Sequence, residues 1–201
     1  MELNVRKAEL RAAELLFSQP KLSFYRLAHL DARRLSLPIE VIFDSFASYC
    51  ESTGITIAEF DPAGVLEGIT VRCKGKYVIL YNEKASERRR NWTVAHELGH
   101  LMLCHDGESE REEREADAFA AALLMPLPVL HYLGSLREES LDTETIYANF
   151  NVSRRAAERR LSELASPRRT LAEIETALMM KLFGGIGAKK QKPRQDLGES
   201  R

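Results

Sequence analysis

Two histidines four residues apart, with an acid between them, stand in the run Ala95-His96-Glu97-Leu98-Gly99-His100-Leu101. On a helix such histidines lie about one turn apart, roughly 40° around the axis and about 6 Å along it. Both imidazoles therefore reach one tetrahedral Zn2+ at about 2.0–2.1 Å. Glu97 falls beside the coordination position such a zinc leaves open. There it can take a proton from water and return it to a leaving amine. Trp92, Val94, Leu98, Leu101, Met102 and Leu103 flank the motif and predict a buried helix.

A catalytic zinc needs a third protein ligand. An HExxHxxGxxH extension is excluded, because Leu103 and Asp106 stand where that pattern requires Gly and His. Residues 111–126, REEREADAFAAALLMP, read as a second helix that offers carboxylates. On a helical wheel Asp117, Ala120 and Leu124 fall within about 40° of Glu113, beside an apolar face of Ala116, Phe119 and Leu123. Glu113 is the preferred third ligand, with Glu112 and Asp117 as alternatives. Asp117 is placed to accept the outward N–H of a zinc-bound histidine, which fixes its tautomer. Glu112 and Glu115 read as members of a solvated acidic face. Arg90, His131 and Tyr132 are candidates for stabilising an oxyanion or contacting substrate. Cys104 reads as a small buried hydrophobe.

The elements that must position these groups follow from periodicity. Helices are expected over 6–17 and 39–53, the second opened by Pro38 and closed by Gly54. Segments 55–60, 68–73 and 76–82 are β-branched and aromatic, and predict a small antiparallel sheet. Helices are expected again over 91–104, 111–124, 139–150, 154–165 and 170–183. Helices, then strands, then helices give an α+β class. The tail 184–201, Gly-rich and then polar and basic, is expected to be disordered.

Composition sets the outer limits. With 201 residues, 44% apolar and 29% charged, the chain can build a core, which excludes wholesale disorder. A net charge of −1 argues against a generic nucleic-acid coat. Three widely spaced cysteines fit no disulfide framework, and no apolar run is long enough to span a bilayer, so a cytoplasmic protein with no membrane partner is expected. The charge is unevenly spread: seven acids face two arginines over 106–117, against eleven basic residues and four acids over 151–194. Within the basic part, LDTETIYANFNVSRRAAERRLSEL (141–164) predicts a helix, a tight turn and a second helix capped by Ser153. Arg155 and Arg159 would project from that second helix, as in a helix-turn-helix that contacts DNA or an acidic partner.

The run YVILYNEKASERRRNWTVAHELGHLMLCH, followed by EREADAFAAALLMP, resembles the ImmA/IrrE family of cytoplasmic zinc metallopeptidases. The matching features are the strand ending at Asn82, the arginines 88–90, the HELGH helix and the Glu-x-x-Ala-Asp-x-Phe-Ala-Ala segment. The resemblance covers about residues 36–128 and extends toward 165. It implies a zincin-like core with a three-stranded sheet, one Zn2+ per chain held by His96, His100 and Glu113 in a gluzincin-like set, and Glu97 as acid/base. Asp117 departs from the asparagine more usual in the family. The resemblance also implies a substrate: a helix-turn-helix repressor, cleaved to release stress or mobile-element genes. It further places a substrate-pairing sheet edge at the YVILYN strand. The domain reading is a metallopeptidase domain with N-terminal helices over 1–128, a helical HTH-like module over 129–183, and the tail. The competing function is a DNA-binding or binding-only antirepressor whose zinc site is structural or sensory.

Overall fold

A computed structural model describes residues 4–73, 75–107, 109–136, 140–165 and 170–187. In chain order the elements are α1 (Val5–Ser18), α2 (Phe24–Ala28), a 3-10 turn (Ala32–Arg34), β1 (Val41–Ser45), α3 (Phe46–Thr53), α4 (Ile57–Phe60), β2 (Gly68–Cys73), β3 (Lys76–Tyr81), α5 (Glu87–Leu103), α6 (Glu110–Leu124), α7 (Leu127–Ser135), α8 (Thr143–Asn149), α9 (Arg154–Leu164) and α10 (Glu173–Gly187). The class is α+β, with a three-stranded mixed sheet.

The sheet order is β1-β3-β2, with β1 parallel and β2 antiparallel to β3. This corrects the expected antiparallel meander in two places. The predicted helix over 39–53 is a strand followed by a helix. Val41, Ile42 and Phe43 pair with Tyr77, Val78 and Ile79, and Ser45 ends the strand by capping α3 through Ser48 N–H. A short apolar run is ambiguous between helix and strand, and the partner strand decides it. The predicted strand over 55–60 is instead α4, held by a capping box: Thr56 accepts from Glu59 N–H while the Glu59 carboxylate accepts from Thr56 N–H. The expected sheet edge at YVILYN is also corrected. β3 is the central strand, and the edge beside the HExxH helix belongs to β2.

One hydrophobic core runs from Ala8, Ala12 and Leu16 on α1, through Val94 and Leu98 on α5 and Phe119 and Leu123 on α6, to Ile146, Val152, Ala157 and Leu178. It crosses residue 128, so α8, α9 and α10 share buried contacts with the helices before them. Polar ties reinforce the join. The buried Asn91 side chain donates to Leu30 O (2.9 Å) and Asn151 O (3.0 Å) and accepts from Ala32 N–H (2.8 Å). Arg160, 3% exposed, donates to Met125 O at 2.8 Å. The helix pair α8–α9 exists as expected, within slightly shorter bounds. α10 continues to Gly187, so 184–187 are helical, and 188–201 lie outside the described residues. Among the described residues, no single helix is long and apolar enough to cross a membrane.

Candidate metal centre

α5 and α6 build the centre, and their ends are set by local sequence. Ser86 caps α5 by accepting from Arg89 N–H. Ser109 and Glu112 form a capping box on α6, whose hydroxyl and amide hydrogen bonds hold the Glu112 carboxyl down at about 2. That box leaves Glu113 on the next position, turned toward α5. The helices meet where side chains are smallest. A Cβ on Gly99 would lie 3.0 Å from both Cα and O of Ala116.

Three side chains converge. His96 Nε2 and His100 Nε2 are 3.1 Å apart; His96 Nε2 lies 3.3 Å from Glu113 Oε2, and His100 Nε2 lies 3.3 Å from Glu113 Oε1. A tetrahedral ion with bonds of about 2.0–2.1 Å separates its donors by about 3.3–3.4 Å, so the trio fits zinc in donor type and spacing. Burial, then the neighbouring His96, lowers the pKa of His100, which favours the neutral imidazole a metal needs. His96 directs its other nitrogen to Asp117 Oδ1 at 3.1 Å, the outward partner expected of Asp117. Burial would raise the Asp117 pKa, but hydrogen bonds from His96 and Arg159 outweigh it and leave a net lowering.

Glu97 borders the same cleft, of about 590 Å³, which runs along Gly68, Ile69 and Thr70 of β2. The Thr70 hydroxyl donates to Glu97 Oε2 at 2.7 Å. Burial raises the Glu97 pKa more than this hydrogen bond and the His96 charge lower it. The raised pKa makes Glu97 a stronger base than an ordinary exposed carboxylate. At Gly68 the start of β2 lies close against α5: an added Cβ would meet Thr93 Cγ2 at 2.3 Å.

The other candidates lie elsewhere. Arg90 donates to Glu83 O at 2.7 Å and ties down the turn before α5. His131 lines a separate cavity of about 70 Å³ between α1, α7, α9 and α10, and Tyr132 packs on Phe183 at 4.4 Å. None of the three lines the cleft. Arg155 is exposed, as expected. Arg159 reaches instead to Asp117 Oδ2 at 3.0 Å, where it contacts the support of a metal-facing histidine. Cys104 is exposed rather than buried, and holds the left-handed conformation that ends α5 (φ 56°).

Sequence reasoning missed Thr70, gave His105 no role and misplaced Glu115. Glu115 was expected on a solvated face, yet it is 6% exposed. It lies about 200° around the helix from Glu113, so it turns toward α1 and the end of α5. No wheel of α6 alone reveals that packing.

The family model of the IrrE N-terminal-like domain, a peptidase domain, matches residues 50–162. That span holds β2, β3, both metal-facing helices and most of α9. Among curated proteins, none matches the chain.

Proposed function

Because the chain belongs to the ImmA/IrrE family through its IrrE N-terminal-like domain, we propose that it is a zinc-dependent endopeptidase whose substrate is a helix-turn-helix repressor. The carrying observation is Glu97, an acid beside three convergent donors that it does not join, in a cleft open to a polypeptide. A structural or sensory zinc site needs no such carboxylate. Zinc held by His96, His100 and Glu113 would supply a Lewis acid for the scissile carbonyl and lower the pKa of water. Glu97 takes the proton of the attacking water, with Thr70 holding one of its oxygens so that the other is the acceptor. It then returns that proton to the leaving amine. The peptide lies along β2, whose outer edge can add an extended strand by main-chain hydrogen bonds. A DNA-bound repressor is a cytoplasmic target, and cleavage would release the genes it silences.

The test compares wild type with Glu97→Gln on the repressor encoded nearest the gene, following fragments by mass spectrometry. Gln keeps the shape but cannot accept the proton. Zinc content and repressor binding should persist while cleavage falls on the order of 10²–10⁴-fold. Equal derepression by both proteins, with the repressor intact, would favour an antirepressor that acts by binding.

A further inference from the structure

Behind His100 lies a second histidine–carboxylate pair. His105 Nδ1 is 3.1 Å from His100 Nδ1, and His105 Nε2 is 3.1 Å from Glu115 Oε2. Both side chains are nearly sealed from water, His105 at 5% and Glu115 at 8% exposure. The other Glu115 oxygen accepts from the backbone N–H of Asn4 at 2.9 Å. The end of α5 delivers His105 to this place. Cys104 turns left-handed, and His105 N–H bonds back to His100 O at 3.0 Å, folding the chain under the last helical turn.

With both imidazoles neutral, these contacts allow one proton arrangement. A carboxylate only accepts, so neutral His105 carries its proton on Nε2. Its Nδ1 is then a bare lone pair, and the nitrogen 3.1 Å away must be the donor. His100 is therefore the Nδ1–H tautomer, and its Nε2 lone pair faces His96 and Glu113. Asp117 orders His96 in the same way from the opposite side.

We propose that His105 and Glu115 are positioning residues that hold His100 in its metal-binding tautomer and orientation, through a chain anchored at the first turn of α1. This rests on the zinc reading above. Outer partners of this kind change metal affinity by about 10–100-fold when removed. The experiment titrates zinc against a chromophoric chelator in wild type, His105→Ala, Glu115→Ala and Glu115→Gln. Long-range proton–nitrogen NMR of the zinc-loaded wild type then reads the imidazole tautomers. Both alanine variants should bind zinc about 10–100-fold more weakly. Glu115→Gln, whose amide oxygen still accepts from His105, should regain most of the affinity. The spectra should show Nδ1–H on His100 and Nε2–H on His105.

Unchanged affinity in both alanine variants, or the opposite tautomer on His105, would overturn the proposal. So would a loss in His105→Ala as complete as in His96→Ala, since His105 would then be a ligand. If the alanine variants fail to fold in a thermal scan, the wild-type tautomers decide alone. Wild type that takes up no zinc would overturn the metal reading itself, and this proposal with it.

Discussion

At the scale of single residues, neighbouring acids on one helical turn have different work. Glu112 is engaged by the Ser109 hydroxyl at 2.6 Å and the Ser109 N–H at 3.1 Å, whereas Glu113 turns both oxygens to histidine nitrogens. Glu113→Ala should therefore lose most bound zinc by elemental analysis. Glu112→Ala should keep the metal and lose a little stability instead, because it removes the N3 half of the capping box. Full zinc in Glu113→Ala would pass the ligand role to another acid. Glu113, the acid the helical wheel preferred, is turned toward His96 and His100, because its face is shared with the apolar stripe that packs on α5. The wheel could not find Glu115, whose partners come from α1 and the end of α5.

Between elements, the site depends on how closely α5 and α6 approach. Gly99 makes that approach possible, since an added methyl would press on backbone atoms of Ala116 and on Phe119 Cβ at 3.2 Å. Two effects compete in Gly99→Ala. Helix propensity favours alanine by about 1 kcal/mol, while overpacking a tight core costs about 1–3 kcal/mol. The obstructing atoms are backbone and cannot rotate away, so the cost should win. Denaturant unfolding should show a net loss of up to about 2 kcal/mol, and zinc affinity should fall as Glu113 is displaced. A more stable variant with unchanged affinity would show that α6 has room to move. Such crowding is invisible in the residue string, where Gly99 reads only as a small residue inside HELGH.

Across the whole molecule, the C-terminal helices share the main core and reach the candidate metal site through Arg159. Arg159 on α9 bridges to Asp117, the carboxylate that orders His96. The arginine side chain is 56% exposed, so the pair is partly screened by water. Arg159→Ala should weaken zinc binding only a few-fold, in line with about 0.2–1 kcal/mol for exposed pairs, and the effect should shrink as salt rises. Arg155→Ala should leave zinc affinity unchanged at any salt. If Arg159→Ala is also neutral at low salt, α9 has no influence on the centre. Arg88 adds to the same join, donating to Tyr147 O at 3.0 Å and lying 3.9 Å over the Tyr147 ring.

Legibility divides along the range of the forces involved. His96, Glu97 and His100 could be read directly because a helical repeat alone brings i and i+4 onto one face. The α+β class, the helix carrying Glu113 and the pairing of Asp117 with His96 followed from the same periodicity. The capping box at Thr56 and Glu59 was equally local, and its signature outranks the β-branched composition that suggested a strand. What the tertiary structure alone decided is non-local. Val41–Ser45 became a strand only because β3 offers a parallel partner, and that pairing moved the free edge to β2. Arg159 met Asp117, and His105 met Glu115, because one core packs residues far apart in sequence. An imidazole or a guanidinium carries no mark of the carboxylate it will find. That choice is made by burial, which leaves each buried polar atom to be satisfied by whatever group the fold sets within reach.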